Sequence, residues 1–143
     1  MGEIVLVEYN DKLYSQVVAL RQLILRDPVN RPYTEDDLEK DKHIVYFAYI
    51  DNNEILGVVG LEKLSSEKDQ VRQMAVHDKI QGKGVGRKLV EFLEDYARML
   101  KLQEIDVESR YTVRGFYSRL GFNEYGTLFS KIDIPHINMK KLL

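Results

Sequence analysis

The 143-residue chain contains no cysteine and no tryptophan, and proline occurs only three times. Without cysteine there can be no disulfide, no thiolate nucleophile and no cysteine-ligated metal. The three histidines, His43, His77 and His136, show no metal-ligand spacing, so no metal is expected. Neither sign of charge dominates: a formal net charge of -2 gives no electrostatic case for nucleic acid. No apolar run approaches the roughly 20 residues a bilayer-spanning helix needs, and the N-terminus lacks a basic-then-apolar leader pattern. A cytoplasmic protein with no membrane partner is the expectation. What remains is ordinary for one globular domain over residues 1–143: 44% hydrophobic and 31% charged residues, enough to bury a core without staples.

Ile4 to Glu8 has the pattern of a first strand, and Asn10 or Asp11 can cap a helix bearing Leu13, Val17, Leu20 and Ile24 at helical spacing. Pro28 and Pro32 end that helix and make residues 27–33 a loop, after which Thr34 and its acidic neighbours open a short helix to about Lys40. His43 to Asp51 and Ile55 to Leu64 read as strands joined by a turn at Asn52-Asn53. A polar turn over residues 65–69 leads to a strand from Val71 to Val76. The strongest periodicity lies between Gly84 and Lys101: Val85, Leu89, Phe92, Leu93, Tyr96 and Leu100 form one stripe, with Glu91, Glu94, Arg98 and Lys101 opposite. Glu104 to Ser109 is the next strand, and this strand–helix–strand unit requires parallel pairing with Val71 to Val76. A helix over about 112–120 ending at Gly121, then strands over 122–125 and about 135–142, complete an α/β (α+β) domain. Its front half is antiparallel and a parallel pair lies in its middle.

The most informative stretch is Gln81-Gly82-Lys83-Gly84-Val85-Gly86, placed between a strand and the long helix. Alternating glycines allow close backbone approach, and the helix start adds unsatisfied amides and the positive end of its dipole. Such a site suits a phosphate or pyrophosphate, and Lys83, Arg87 and Lys88 bring positive charge to it. A P-loop read from Gly82 fails, because its second glycine falls on Arg87. A dinucleotide fingerprint read from Gly84 puts Leu89 where a small residue belongs.

Gln81, Gly84 and Gly86 instead spell Gln-x-x-Gly-x-Gly, which resembles the acyl-CoA loop of the GCN5-related N-acetyltransferases, the GNAT family. Phe116-Tyr117 followed by Gly121-Phe122 resembles that family's later Phe-Tyr-x-x-x-Gly-Phe segment, and Gln73 to Val76 its pantetheine-contacting strand. Ile134-Pro135-His136 with Met139 is similar to the ending of the bacterial ElaA-like and YjcF-like members.

The resemblance implies the GNAT fold: a mixed, mostly antiparallel sheet with a central splayed parallel strand pair, flanked by helices. It implies acetyl-CoA as co-substrate and direct transfer of acetyl to a primary amine of a small molecule or peptide in a ternary complex. Met74, Ala75 and Val76 would pair with pantetheine as an added strand does. Gln81, Gly82, Lys83, Gly84, Val85, Gly86 and Arg87 would wrap the pyrophosphate. Tyr117 matches the tyrosine beside the CoA sulfur and is the candidate general acid, since a phenol of pKa about 10 is protonated at neutral pH. Glu62, an acidic residue on a strand face with Leu56, Val58, Gly60 and Leu64, is the first candidate base; Asp106, Glu108 and His136 are its rivals. Arg26, His43 and Arg110 are the candidate acceptor-binding residues, with Arg21, Arg31, Tyr33 and Tyr46 in the same segments. Ser109-Arg110 departs from the family's Asn, and from the subgroup's Ala-Gln, ahead of the tyrosine helix. That departure leaves open an alternative, a non-catalytic acyl-CoA-binding sensor. The family's habit of pairing through late strands also admits a homodimer.

Overall fold

In the computed structural model, which describes residues 2–143, seven strands alternate with four α-helices. In chain order they are Glu3–Val7 (β1), Tyr14–Arg21 (α1), Glu35–Glu39 (α2), Ile44–Asp51 (β2), Glu54–Lys63 (β3), Lys68–Val76 (β4), Val85–Met99 (α3), Glu104–Arg110 (β5), Arg114–Arg119 (α4), Asn123–Lys131 (β6) and Ile134–Leu142 (β7). All strands join one sheet in the order β1-β2-β3-β4-β5-β7-β6. Only β4 and β5 run parallel, and α3 is the crossover between them.

Local chemistry accounts for most boundaries. Asn52 and Asn53 both adopt left-handed φ, 50° and 62°, the tight geometry that closes the β2–β3 hairpin. Thr34 and Asp37 form a reciprocal capping box at the start of α2. Asp11 does act at the start of the first helical segment, but two residues ahead: its Oδ1 accepts from the Leu13 amide at 3.0 Å, and α1 begins at Tyr14. After Arg21 the helix widens into a π-turn over residues 22–26 before the proline-containing loop.

Four expectations need correction. The stripe of α3 is centred on Val85, Leu89, Val90, Leu93 and Ala97, while Phe92 and Leu100 are exposed at 41% and 52%. Glu94, expected on the solvent side, is buried; it accepts from Lys141 Nζ at 2.7 Å and from Arg98 at 3.3 Å. The polar stretch before Val71 is already strand, and parallel pairing is made by Lys68–Val71 against Glu104–Val107 rather than by residues 71–76. Finally, β6 runs on to Lys131. Gly126, with φ 75°, sits in a register shift of the β6–β7 ladder, so it marks a bulge, not the strand's end.

The sheet is covered on both faces. α3 and α4 pack one face over Phe47, Val59, Ile105 and Met139, and α1 packs the other over Val7, Tyr46, Val58 and Ala75. On the α1 side Arg21 and Asp41 are both buried, with Nη1 to Oδ2 at 2.7 Å. The Tyr46 hydroxyl donates to Asp41 Oδ1 at 2.8 Å, and the Tyr14 hydroxyl donates to Oδ2. This cluster ties α1 to the segment entering β2, so Arg21 and Tyr46 are structural groups, not acceptor contacts. Removing one partner of a buried pair leaves an uncompensated charge. Asp41→Ala should therefore cost about 3–5 kcal/mol of unfolding free energy in urea titration; a loss below about 1 kcal/mol would contradict this role.

Candidate active site

The parallel ladder between β4 and β5 stops at Val71 opposite Val107. Beyond that point β5 stays bonded to β7 through Arg110 opposite His136, while β4 stays bonded to β3 through Val76 opposite Gly57. The two strands therefore part. A bulge steers β4 away: its register against β3 slips between Arg72 and Ala75, and Gln73 takes φ 55°. A non-glycine residue in that region needs support, and Tyr33 supplies it by donating its hydroxyl to Gln73 Oε1 at 2.7 Å. The Tyr33 ring lies in turn beneath the guanidiniums of Arg26 at 4.1 Å and Arg21 at 4.6 Å.

The gap opens into a cavity of about 710 Å³. Gly84, Gly86, Phe116 and Tyr117 line it from the α3–α4 side, and Leu25, Arg26, Glu108, Arg110 and His136 line it as well. Met74, Ala75, Val76, Gln81, Gly82, Val85 and Arg87 also reach its wall; Lys83 does not. The glycine loop is held from the strand end, where Gln81 Nε2 donates to Val76 O and to Asp78 Oδ1, both at 3.1 Å. Gln81 thus braces the loop. Gly82 and Gly84 have φ of 80° and 79° with open space where a Cβ would stand, so they are required for conformation. Gly84 caps α3 without any side-chain acceptor, and no acidic residue occupies the first turn. The amides there remain available to an anion. Gly86 serves differently: a Cβ would lie 3.2 Å from Phe116 Cζ, so its absence lets α3 and α4 close together.

Tyr117 is buried in edge-to-face contact with Phe116 and Phe122, with centroids at 5.0 and 5.5 Å. Burial pushes its phenol well above the ordinary value of 10.0. Its hydroxyl has no hydrogen-bond partner among the described residues.

The candidate bases separate. Glu62 lies off the cavity wall, 2.7 Å from Arg72 Nη1. Asp106 is buried off the wall as well. Burial opposes its ionisation, but hydrogen bonds from Glu104, Tyr125 and Lys68 outweigh that and hold the carboxyl below its ordinary range. The Tyr125 phenol, raised by burial and by Asp106, moves up to about 12. Glu108 does line the cavity, its Oε1 accepting from Lys131 Nζ at 2.7 Å. His136 lines it too, buried and with Nδ1 2.7 Å from Ile134 O. Among the acceptor candidates, Arg26 and Arg110 reach the cavity, whereas His43 is exposed in a separate depression with Tyr9 and Asn10. Arg31 pairs instead with Asp133 in the β6–β7 turn. No group of three or more metal-ligating side chains occurs among the described residues, and none of their helices is long and apolar enough to cross a membrane.

Residues 26–143 match the family model for the acetyltransferase (GNAT) domain. The chain belongs to the GNAT family. It is therefore an acyltransferase, and the family's use of acetyl-CoA gives the uncapped α3 start and the open β4–β5 gap a ligand they fit. The fold is similar to that of an acyl-CoA N-acyltransferase from Pseudomonas aeruginosa, at TM-score 0.86 and 19% identity over 99% of each chain. It is also similar to Escherichia coli ElaA, at TM-score 0.79 and 23% identity over 97% of this chain and 99% of that one. An aminoglycoside 6'-N-acetyltransferase complexed with coenzyme A matches at TM-score 0.77 and 17% identity over 96% of each chain.

Sequence reasoning missed Tyr33 as the support of the bulge and Leu25 as part of the wall. The pair Pro28 and Pro32 signalled a loop there but not where the loop would dock. For this GNAT domain, Gly86→Ala should keep the fold yet weaken acetyl-CoA binding about tenfold, since pushing Phe116 aside costs about 1–3 kcal/mol. Calorimetric affinity equal to wild type would show that the α3–α4 approach does not shape the site.

Proposed function

We propose that this acyltransferase moves an acetyl group from acetyl-CoA to a primary amine by direct attack in a ternary complex. The observation that carries the reading is that Gly82, Gly84 and Gly86 of the glycine loop, Met74, Ala75 and Val76 of β4, Tyr117 and Glu108 all line one cavity. The amides of residues 82–87 receive the diphosphate, while Met74, Ala75 and Val76 pair with the pantetheine along the edge that β5 leaves unoccupied. The thioester then lies in the gap, where a main-chain N–H near Val76 polarises its carbonyl oxygen.

The neutral amine nitrogen attacks the carbonyl carbon and gives up a proton, and the carbon–sulfur bond breaks as the thiolate leaves. Tyr117 protonates that sulfur. Its raised pKa keeps the phenol loaded with a proton across the neutral and mildly alkaline range. Glu108 takes the amine proton in preference to Glu62, because both are ion-paired, with Lys131 and Arg72, but only Glu108 borders the cavity.

Tyr117→Phe should lower kcat about 100-fold or more while leaving acetyl-CoA affinity within about threefold of wild type. Since the folded phenol titrates above 10.0, the wild-type kcat profile should show no alkaline fall from Tyr117 below about pH 10. CoA release followed with a thiol reagent across an amine panel reads both effects. Unchanged kcat in Tyr117→Phe, or tight acetyl-CoA binding with no release above background, would overturn the catalytic reading. Glu108→Gln should reduce kcat about 100-fold and Glu62→Gln by less than about threefold; the reverse ranking in the same assay would return the base to Glu62.

A further inference from the structure

The acceptor end of the cavity holds an uneven set of charges. Arg26 lies 3.6 Å from Asp37, Arg72 lies 2.7 Å from Glu62 and Lys131 lies 2.7 Å from Glu108. Arg110 alone of these four cations has no carboxylate partner among the described residues. Its Nη2 donates to the main-chain oxygen of Leu25 at 2.9 Å, which fixes the guanidinium against the π-turn after α1 but supplies no counter-charge. Burial pulls its pKa below the ordinary range, Tyr33 works the other way, and the nearby Arg26 lowers it further. Arg26 and Arg110 thus share one cavity wall, and of the two only Arg26 has a carboxylate within ion-pair distance, that of Asp37. Such an arrangement is relieved by an incoming anion, and a guanidinium fork matches a carboxylate.

Glu108 stands two residues before Arg110 on the same strand, and both line the cavity. Residues at that spacing point to one side, about 7 Å apart along the strand. One edge of the acceptor space therefore offers the Glu108 carboxylate, shared with Lys131, and, one strand repeat further on, a cation with no carboxylate partner among the described residues.

Resting on the transferase reading above, we propose that the acceptor is a small zwitterionic amine of the amino-acid class, its ammonium directed to Glu108 and its carboxylate held by Arg110. Arg26 adds to the field that attracts the carboxylate. Neutral and purely cationic amines leave the half-buried Arg110 without a counter-ion and bind less well. Binding by the carboxylate also orients the amine, so that the nitrogen meets the thioester in the gap instead of tumbling in a cavity of about 710 Å³.

The test uses the full chain with acetyl-CoA and pairs of acceptors: free α- and ω-amino acids, their carboxamides, and the corresponding decarboxylated amines. CoA release gives kcat/KM, and calorimetry on the CoA-loaded protein gives affinity independently of turnover. At least one free amino acid should exceed its amide and its decarboxylated amine by tenfold or more in kcat/KM or in affinity. Arg110→Gln should erase that preference by raising KM for the carboxylated acceptor, with little change for the neutral one, and Arg110→Lys should restore part of it. Equal or better use of the neutral amines, no binding by any free amino acid in the set, or a preference that survives Arg110→Gln overturns the proposal. Acetyl-CoA heats on the same sample keep the two questions apart. Normal heats with no carboxylate discrimination defeat only the acceptor assignment, whereas absent heats in the wild type defeat the transferase reading as well.

Discussion

Everything distinctive about this domain follows from two parallel strands that cannot stay paired. β4 and β5 share only the ladder from Lys68–Val71 to Glu104–Val107, after which each is committed to its antiparallel neighbour on the far side. A continuous parallel pair would bury the main-chain edge of Arg72–Val76 in hydrogen bonds. Parting instead leaves that edge free, and a free main-chain edge lining a cavity is a standing invitation to an extended ligand with amide groups. The bulge at Gln73 enforces the separation, and it is held by groups far from it in sequence: Tyr33 bonds Gln73, and Arg21 and Arg26 stack on Tyr33. The buried Arg21–Asp41 cluster consequently matters to the site as well as to stability, because it fixes the segment from which Tyr33 reaches the strand.

The two faces of the sheet divide the chemistry. On one side the glycine loop, the uncapped start of α3 and Tyr117 form a surface suited to the CoA moiety, all on short-range geometry the local sequence dictates. On the other, the acceptor wall is assembled from the π-turn after α1, the end of β5 and the β6–β7 hairpin, elements brought together only by tertiary packing. Under the proposed reading the first surface serves a feature common to every acyl-CoA, and the second has to distinguish one amine from another. A shared donor site with a composite acceptor site is the expected result of that division.

The same division explains what could be read from the letters. Periodicity located α3, the parallel crossover and the hairpin at Asn52-Asn53, because those signals are local. The glycine loop and Tyr117 were legible as motifs. Glu94 was misplaced since its charge suggests solvent, whereas Lys141, 47 positions away, makes burial tolerable. Residues 68 and 69 look like part of a turn, and pairing with β3 on one side and β5 on the other makes them strand. Glu62 drew attention by standing among apolar residues, a pattern satisfied by its pairing with Arg72. The unpaired state of Arg110, and its nearness to Leu25, were invisible without the fold. Sequence alone thus named the glycine loop and Tyr117, and Arg26, Glu108, Arg110 and His136 on the cavity wall, but not Leu25 or the Arg110–Leu25 contact, whose members lie 85 positions apart.

The central claim is that the freed edge of β4 and the glycine loop are where acetyl-CoA sits. Backbone amide hydrogen exchange with and without acetyl-CoA, resolved by residue, tests it most directly. The account predicts increased protection concentrated at residues 74–76 and 82–87, with the β1–β2 edge unchanged. Protection that appears elsewhere, or none in those two stretches at saturating acetyl-CoA, would contradict it.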